Sequence, residues 1–446
     1  MTSATPDRRA QFKQAYRNLQ LSPLLEPEQR AQFKVEYNEA LLDDLEQKID
    51  FTEETGKLIF TGHQGCGKST LLAELSTRLN RDHFAVFFSI DEFMEKSDID
   101  HVKILFVIAV QLLATAERQG VGFDKSERET LYSWLAKKTR VETTSLSATG
   151  GIGFDLFKTI QMKLQADHNL RLEIKEEFER NISDLIAQID RIASLITKAT
   201  GKAPIAIIDG LDKLDMARAR EIFADHVKAL LQPGFRIVYT IPIALLRELD
   251  LRRGLEFATN DSIEFMQVSK LYAQDMTLET RRKEREAKER LRVNPLPETI
   301  KTLSDVLLKR LEDPELIELE ATKRIIFYSG GVLRELIRIA SACCFEANKE
   351  ARRRPGEAVQ ITAEIVDRVI VELRNDMTTP LDYGHYKILS QVYHELTPKH
   401  EDDEGQQRFL DLLHGLYVLE YRNGDLWYDV HPMMVDLLHR RGLLLV

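Results

Sequence analysis

The residues best suited to chemistry in this chain form a glycine-rich run between positions 62 and 70. The run fits the pattern Gly-x-x-x-x-Gly-Lys-Ser, follows a short apolar stretch at 57–61 and leads into a helical pattern at 68–80. Such a loop curls backbone N–H groups around a phosphate, and the helix N-terminus adds its positive dipole end. We therefore predict a nucleotide-phosphate site that comprises Gly62, Gly65, Cys66, Gly67, Lys68, Ser69 and Thr70.

Two side chains of this loop have distinct predicted roles. Lys68 can place its ammonium group against β- and γ-phosphate oxygens, and Ser69 can offer its hydroxyl to Mg²⁺. A carboxylate at the end of another buried strand is expected to hold a magnesium-bound water. Asp209, which ends an aliphatic run, is assigned to the metal, whereas Asp91 is expected to cap a helix or line the edge of the site. No Asn-Lys-x-Asp guanine motif is present, so ATP and ADP are favoured over guanine nucleotides.

The elements that must position these residues alternate between strand and helix. Strand patterns occur at 57–61, 83–90, 204–209, 235–240 and 262–268. This alternation predicts an α/β fold with a parallel P-loop NTPase sheet as its core. Residues 122–200 interrupt the rhythm and are predicted to be an insertion. Within it, we expect a hairpin over 141–157 around Gly150-Gly151, followed by a long charged helical stretch over roughly 165–198.

Four parts are expected along the chain. They are an N-terminal helical segment (1–50), the P-loop NTPase domain (51–268), an all-α lid (269–380) and a winged helix (381–446). The first part is expected to hold helices at 11–19 and 33–49. The last is predicted from helices at 384–396, 405–415 and 432–440 and strands at 417–422 and 426–430, with an Asn-Gly turn between the strands.

Composition limits the classes of protein. The chain has 446 residues, 43% of them hydrophobic, and a net charge of −10. That length predicts several domains of about 150 residues each. The longest uncharged apolar stretch is shorter than the roughly 20 residues of a membrane span, and the N-terminus lacks the apolar core of a signal peptide. Three cysteines fit neither a disulfide framework nor a zinc site. We expect a reduced, cytoplasmic protein with no membrane partner.

Taken together, these motifs resemble the AAA+/STAND P-loop ATPases, with a NACHT-like or origin-recognition-like core. The run Ile-Ile-Asp-Gly-Leu-Asp that ends at Asp212 is most similar to the NACHT-type second motif. By this resemblance Asp212 would orient the attacking water. Lys213 departs from the family's Glu, and Gly210 stands where AAA+ proteins carry a catalytic Glu. The resemblance therefore implies an ATPase with slow hydrolysis.

The same resemblance implies roles for three further residues, each with a structural alternative. Thr240 would contact the γ-phosphate or the attacking water, or would cap a turn before Pro242. Arg334, in a Ser-Gly-Gly-Val-Leu-Arg run, would be a sensor of the γ-phosphate or a surface arginine on a lid helix. His431 would donate to the β-phosphate of ADP from the winged helix and hold the closed state, or would be a core histidine.

Charged residues bear on the partners. Arg252 and Arg253 lie near the place of an AAA+ arginine finger, which would require a homo-oligomer, or they form a basic helix terminus. Residues 281–292 are either a nucleic-acid stripe or, as we favour, a solvated helix paired at i,i+4, with Glu284–Lys288 as one pair. Residues 381–446 hold six Lys and Arg against eleven Asp and Glu, which disfavours DNA.

Two functions follow from these features. The favoured one is an ATP-dependent switch that uses Mg²⁺ and regulates an unidentified protein effector, with bacterial defence or signalling as the setting. Conformational change or oligomerisation would carry the signal. The alternative is a DNA-associated AAA+ ATPase, similar to replication initiators or transposition regulators.

Overall fold

The computed structural model describes residues 7–141, 152–287, 293–378, 381–399, 402–422 and 424–444. These residues form two compact units. The sheet unit comprises Ala40–Thr61 and Leu71–Phe265. The loop unit comprises Met1–Glu39, Gly62–Thr70 and Met266–Val446. The phosphate loop therefore belongs to the same compact unit as the C-terminal helices.

A five-stranded sheet lies at the centre of the sheet unit. Its strands are β1 (Lys57–Gly62), β2 (Phe84–Ser89), β3 (Pro204–Asp209), β4 (Arg236–Pro242) and β5 (Ile263–Met266), in the order β2-β3-β4-β1-β5. β3 runs parallel to both β2 and β4, with Ser89 opposite Asp209 in the register. Every residue of β3 is buried, as expected for a central parallel strand. The predicted α/β fold with a P-loop NTPase sheet is confirmed.

Most of the remaining described chain is helical. Up to β5 they are α1 (Arg8–Asn18), α2 (Pro27–Phe33), α3 (Glu39–Phe51), α4 (Lys68–Leu79), α5 (His101–Arg118), α6 (Lys125–Lys138), α7 (Ile152–Ala166), α8 (His168–Arg180), α9 (Ile182–Thr200), α10 (Met216–Arg220), α11 (Val227–Leu230) and α12 (Leu249–Ala258). α5 is buried on almost every face and packs against α7, α8 and α9. The described part of the insertion predicted at 122–200 consists of the helices α6, α7, α8 and α9 with short non-helical connections.

Two predictions of local structure are corrected, and a third is refined. The expected helix over 33–49 is interrupted between α2 and α3, because Lys34 is extended and Asn38 has a φ of 61°. The hairpin expected over 141–157 is wrong from residue 152 onward, where α7 begins; residues 142–151, including Gly150-Gly151, lie outside the described residues. The stretch 165–198 is helical as expected, but it is divided among the end of α7, α8 and α9, because Asp167 and Asn181 are not helical.

After β5 the loop unit consists mainly of helices and one hairpin. The helices are α13 (Gln274–Ala287), α14 (Pro297–Leu311), α15 (Leu319–Tyr328), α16 (Leu333–Arg353), α17 (Ala363–Thr378), α18 (Tyr383–Glu395), α19 (Asp403–His414) and α20 (Pro432–Arg440). The hairpin strands β6 (Val418–Arg422) and β7 (Leu426–Val430) pair antiparallel. The order of elements from α18 to α20 agrees with the predicted winged helix, and we call residues 381–444 the C-terminal segment. Asn423 of the expected turn lies outside the described residues.

The basic run at 281–292 differs from its prediction. Arg281 and Glu284 are buried, although we expected a solvated, self-paired helix. Arg281 donates to the hydroxyl of Tyr393 in the C-terminal segment, and that hydroxyl donates to Glu284 at 2.8 Å. Arg281 also pairs directly with Glu284 at 3.4 Å and with Asp429 at 3.7 Å. Buried charges are costly without partners, and these ion pairs together with the shared hydroxyl offset that cost. The partner Lys288 lies outside the described residues.

Candidate nucleotide site

The phosphate loop joins β1 to α4, which is the strand-loop-helix arrangement that the motif requires. Gly65 and Gly67 have φ values of 79° and 110°, in a region that residues with a Cβ rarely adopt. A Cβ on Gly62 would lie 2.3 Å from the carbonyl oxygen of Met266. The glycines are thus required by backbone conformation and close packing, and α4 begins at Lys68 with its N-terminus toward the loop.

The polar residues of the loop are held by defined contacts. The Lys68 ammonium is buried and donates to the carbonyl oxygens of Gly62, at 2.9 Å, and His63, at 2.8 Å. Cys66 is fully buried. Ser69 lies in the first turn of α4, and the hydroxyl of its neighbour Thr70 accepts a hydrogen bond from the Leu24 amide at 3.0 Å. The backbone amides of the loop, the Lys68 ammonium and the Ser69 hydroxyl are hydrogen-bond donors, and such a set suits an anionic phosphate.

Arg334 lies against the loop. It is the second residue of α16, and its backbone N–H donates to the Gly65 carbonyl at 3.0 Å. A Cβ on Gly65 would come within 2.5 Å of the Arg334 Cβ. The first turn of α16 therefore packs directly on the phosphate loop, and the predicted sensor residue adjoins the residues expected to hold the phosphates.

The C-terminal segment also contacts the loop, through a residue that the sequence analysis did not single out. The His63 Nε2 accepts a hydrogen bond from the Glu420 amide of β6 at 2.7 Å, and both residues are buried. This bond requires a neutral His63 with its proton on Nδ1. Because an acceptor bond to a distant backbone amide has no sequence signature, the motif alone could not reveal it.

His431 is fully buried at the N-cap of α20, where its Nδ1 accepts from the Met433 amide at 3.3 Å. Burial lowers its pKa to about 3, the charge of Arg338 acts in the same direction, and a hydrogen bond to the Ser329 backbone opposes them. His431 is therefore neutral near pH 7, with its proton on Nε2. That tautomer has the N–H donor that the predicted phosphate contact would need.

The predicted carboxylates lie in the sheet unit. Asp209 ends β3, and Asp212 lies in the single turn Leu211–Lys213 that follows; both are buried. Thr240 on β4 holds this turn, because its hydroxyl donates to the Ile208 carbonyl at 3.0 Å and accepts from the Leu211 amide at 3.2 Å. The one hydroxyl proton of Thr240 is thus engaged, and the side chain fixes the backbone on both sides of Asp209.

Lys213 compensates the negative charge around Asp209. Its ammonium lies 3.1 Å from the Asp91 carboxylate, so Asp91 forms an ion pair across the ends of β2 and β3. Burial alone would lower the pKa of Lys213, but Asp209, Asp91 and Asp212 outweigh that effect and raise it. Burial raises the pKa of the nearby Glu92, against the opposing charge of Arg118. The residue that departs from the family pattern therefore carries a firmly held positive charge.

Arg252 and Arg253 lie in the first half of α12, so the alternative that they form a basic helix terminus is wrong. Placed near the positive end of the helix dipole, an arginine gains nothing from that dipole. Arg252 instead pairs with Glu256 at 2.6 Å, one turn later in the same helix.

The donor set is compatible with magnesium. In the described part of the chain, no group of three or more His, Cys, Asp or Glu side chains could hold a metal by itself. Mg²⁺ does not need such a group, because it keeps several waters and binds through one or two protein oxygens together with substrate phosphates. Ser69 of the loop unit and Asp209 of the sheet unit each carry an oxygen of this kind.

The sheet, the glycine-rich loop and the helix that follows it define a P-loop NTPase domain. Residues 42–238 match the family model of the KAP family P-loop domain. This range includes the phosphate loop, Asp209 and Asp212, and ends just before Thr240. No curated protein matches the chain. Of the described helices, none combines the length and the apolar character needed to cross a membrane.

Solved structures similar to this chain include an ORC2 protein and a Cdc6 protein. The Aeropyrum pernix ORC2 protein in its ADPNP–ADP complexes is 10% identical, with a TM-score of 0.41, over 92% of this chain and 95% of that one. Cdc6p from Pyrobaculum aerophilum is 12% identical, with a TM-score of 0.37, over 92% and 96%. With TM-scores below 0.5, neither similarity assigns a role to this chain.

Proposed function

We propose that this protein is an ATP-binding switch of the AAA+/STAND type, in which nucleotide exchange and slow hydrolysis change how the C-terminal helices are held. The observation that carries the proposal is the direct bonding of the phosphate loop to two later parts of the chain. Arg334 at the start of α16 binds Gly65, and Glu420 of β6 binds His63. A phosphate that changes the loop would therefore act on both.

The roles within the proposed site follow from chemistry. Lys68 and the loop amides bind the β- and γ-phosphates of ATP or ADP, and Arg334 senses the γ-phosphate, a role supported by the bond of its amide to Gly65. Ser69 and Asp209 hold Mg²⁺ directly or through water. Asp212 orients the attacking water, while Thr240 keeps the Asp209 turn in place. Hydrolysis is slow because Gly210 and Lys213 provide no carboxylate where related enzymes have one.

A switch of this kind acts on something else. We propose that the nucleotide state changes the exposure of the C-terminal segment, and that a protein effector or a second copy of this chain detects the change. His431 contributes as a neutral donor within that segment. Arg253 is exposed and could reach a neighbouring subunit, whereas Arg252 is paired within α12.

DNA association is the less favoured function. The helix in the recognition position, α19, contains a single arginine, Arg408, which lies 2.7 Å from Glu404 and 3.6 Å from Asp382. A groove-reading helix needs free cations for phosphates and donors for base edges. The charge of Arg408 is already compensated by two carboxylates.

Light scattering after size exclusion tests the switch. Wild type and Lys68→Ala are compared with ADP, with a slowly hydrolysed ATP analogue, and with a duplex of about 20 base pairs, long enough for a major-groove reader. We expect the elution volume or mass of the wild type to differ between the two nucleotides, and the variant to show one profile in both. Identical wild-type profiles with both nucleotides would contradict the switch, and a mass increase with DNA alone would favour the alternative.

A further inference from the structure

His63 makes one hydrogen bond through its side chain and one through its backbone. The two partners, Glu420 and Lys68, belong to the loop unit and lie far apart in the sequence. Its imidazole Nε2 accepts from the Glu420 amide, and its backbone carbonyl accepts from the Lys68 ammonium at 2.8 Å. The residue is one of the variable positions of the phosphate-loop pattern, so the phosphate chemistry itself does not require a histidine there.

The Glu420 amide is directed away from its partner strand in the hairpin. Glu420 lies opposite Tyr428 in the β6–β7 register. The Tyr428 amide donates outward to the Leu396 carbonyl at 2.9 Å, and the Glu420 amide donates outward to His63. The pair thus has the geometry of a non-hydrogen-bonded position of an antiparallel ladder. Only an acceptor outside the hairpin can satisfy this amide, and a buried unsatisfied N–H would be costly.

Lys68 connects this bond to nucleotide. A phosphate oxygen binds an ammonium more strongly than a neutral carbonyl does, because the acceptor carries charge. A nucleotide phosphate in the loop would therefore compete with the His63 carbonyl for Lys68. Loss of that contact leaves the backbone of His63 less firmly held. Because the imidazole belongs to the same residue, its hydrogen bond to the Glu420 amide is weakened as well.

We infer that His63 is the positioning residue through which the phosphate loop holds the C-terminal segment, and that a bound nucleotide phosphate loosens this hold. The inference rests on the proposed function, because it takes the loop to be the nucleotide site. Two other bonds lie in the same part of the loop unit: the Arg334 amide to the Gly65 carbonyl, and the Tyr421 hydroxyl to the Gly330 carbonyl at 3.0 Å. Neither involves Lys68, whereas the His63 carbonyl accepts from the Lys68 ammonium, so nucleotide acts on the His63 contact through Lys68.

Hydrogen exchange of the Glu420 amide measures the bond directly. His63→Leu removes the acceptor, His63→Gln places an amide oxygen near the position of Nε2, and His63→Asn is one methylene too short to reach. All three keep the backbone carbonyl that Lys68 contacts. We expect exchange at Glu420 to be at least about tenfold faster in the Leu and Asn variants than in wild type, and close to wild type in the Gln variant.

The Tyr428 amide is the internal control, since its partner is Leu396, and its exchange should be unchanged in all three variants. Similar exchange at Glu420 in wild type, Leu and Asn would overturn the inference. Should His63→Leu fail to fold, the Gln and Asn variants differ by a single methylene and retain the test.

A second measurement adds nucleotide. A slowly hydrolysed ATP analogue with Mg²⁺ should accelerate Glu420 exchange several-fold in wild type and leave Lys68→Ala unchanged, with binding measured in parallel by calorimetry. If the analogue binds wild type but Glu420 exchange stays constant, the inference is wrong and the proposed function stands. If the analogue does not bind wild type at all, the proposed function fails, and the nucleotide part of the inference fails with it.

Discussion

Gly65→Ala tests the contact between the phosphate loop and α16. The substitution has two separate costs. At a φ of 79°, a Cβ costs about 1–2 kcal/mol in backbone strain. The new Cβ would also lie 2.5 Å from the Cβ of Arg334. Non-bonded carbon atoms prefer separations of about 3.5–4.0 Å, so the loop or the first turn of α16 must move.

Overpacking of this kind typically costs about 1–3 kcal/mol. We therefore expect Gly65→Ala to lower the free energy of unfolding of the loop unit by about 2–5 kcal/mol. Gly356→Ala is the matched control. Gly356 belongs to the same unit and has a φ of 89°, but among the described residues no atom beyond its chain neighbours lies within 4 Å of the position that a Cβ would take. The control should lose only the strain, about 1–2 kcal/mol.

Denaturant unfolding of the two variants gives the difference, and titration calorimetry with ADP gives the effect on the site. Displacement of the loop should weaken ADP binding by about tenfold or more in Gly65→Ala, while Gly356→Ala binds like wild type. Equal losses of stability in the two variants, with ADP affinity unchanged in both, would refute the packing of α16 on the loop.

Three further predictions concern the carboxylates, DNA and pH. Asp209→Asn should weaken both nucleotide binding and hydrolysis, whereas Asp212→Asn should slow hydrolysis and leave calorimetric affinity nearly intact; equal hydrolysis rates in wild type and Asp212→Asn would exclude Asp212 as the water-orienting group. Arg408→Ala should change duplex affinity less than about twofold in fluorescence anisotropy at moderate salt, because that charge is already paired, and a larger loss would support DNA binding. The folded state lowers the pKa of His431 from 6.5 to about 3, so the unfolded chain binds the extra proton between these values. The free energy of unfolding should therefore decrease as the pH is lowered below 6.5, by up to about 1.4 kcal/mol per pH unit. In denaturant unfolding, His431→Leu should show a smaller decrease over the same pH range. The same slope in both proteins would contradict the buried neutral histidine.

The sequence predicted those elements whose pattern is local. All five strands of the sheet and the helices and strands from α18 to α20 lie within a few residues of their predicted positions. The hairpin prediction failed from residue 152 onward because β-branched residues upstream outweighed a helical stripe of Leu156, Ile160 and Leu164, which are buried on one face of α7. Local composition cannot decide between two periods when the segment is short.

The site shows the same division. The phosphate loop was predictable because its backbone conformation requires glycine at fixed positions, and these glycines can be recognised in the sequence. The His63–Glu420 bond joins residues 357 positions apart, and its donor is a backbone amide that every residue except proline carries. Burial of Arg281 depended on Tyr393, a tertiary neighbour that the helical charge pattern cannot reveal. Contacts of this kind require the fold.

The most direct test of the account is calorimetric titration of the full chain with ADP and Mg²⁺, for wild type and Lys68→Ala. Lys68 supplies the only ammonium within the phosphate-loop motif. Its loss should cost about 2–4 kcal/mol of binding free energy, which corresponds to about 30-fold or more in affinity. Saturable binding by wild type and at least this weakening in the variant is the predicted result. Equal affinities, or no binding by either protein, would contradict the claim that residues 62–69 hold a nucleotide.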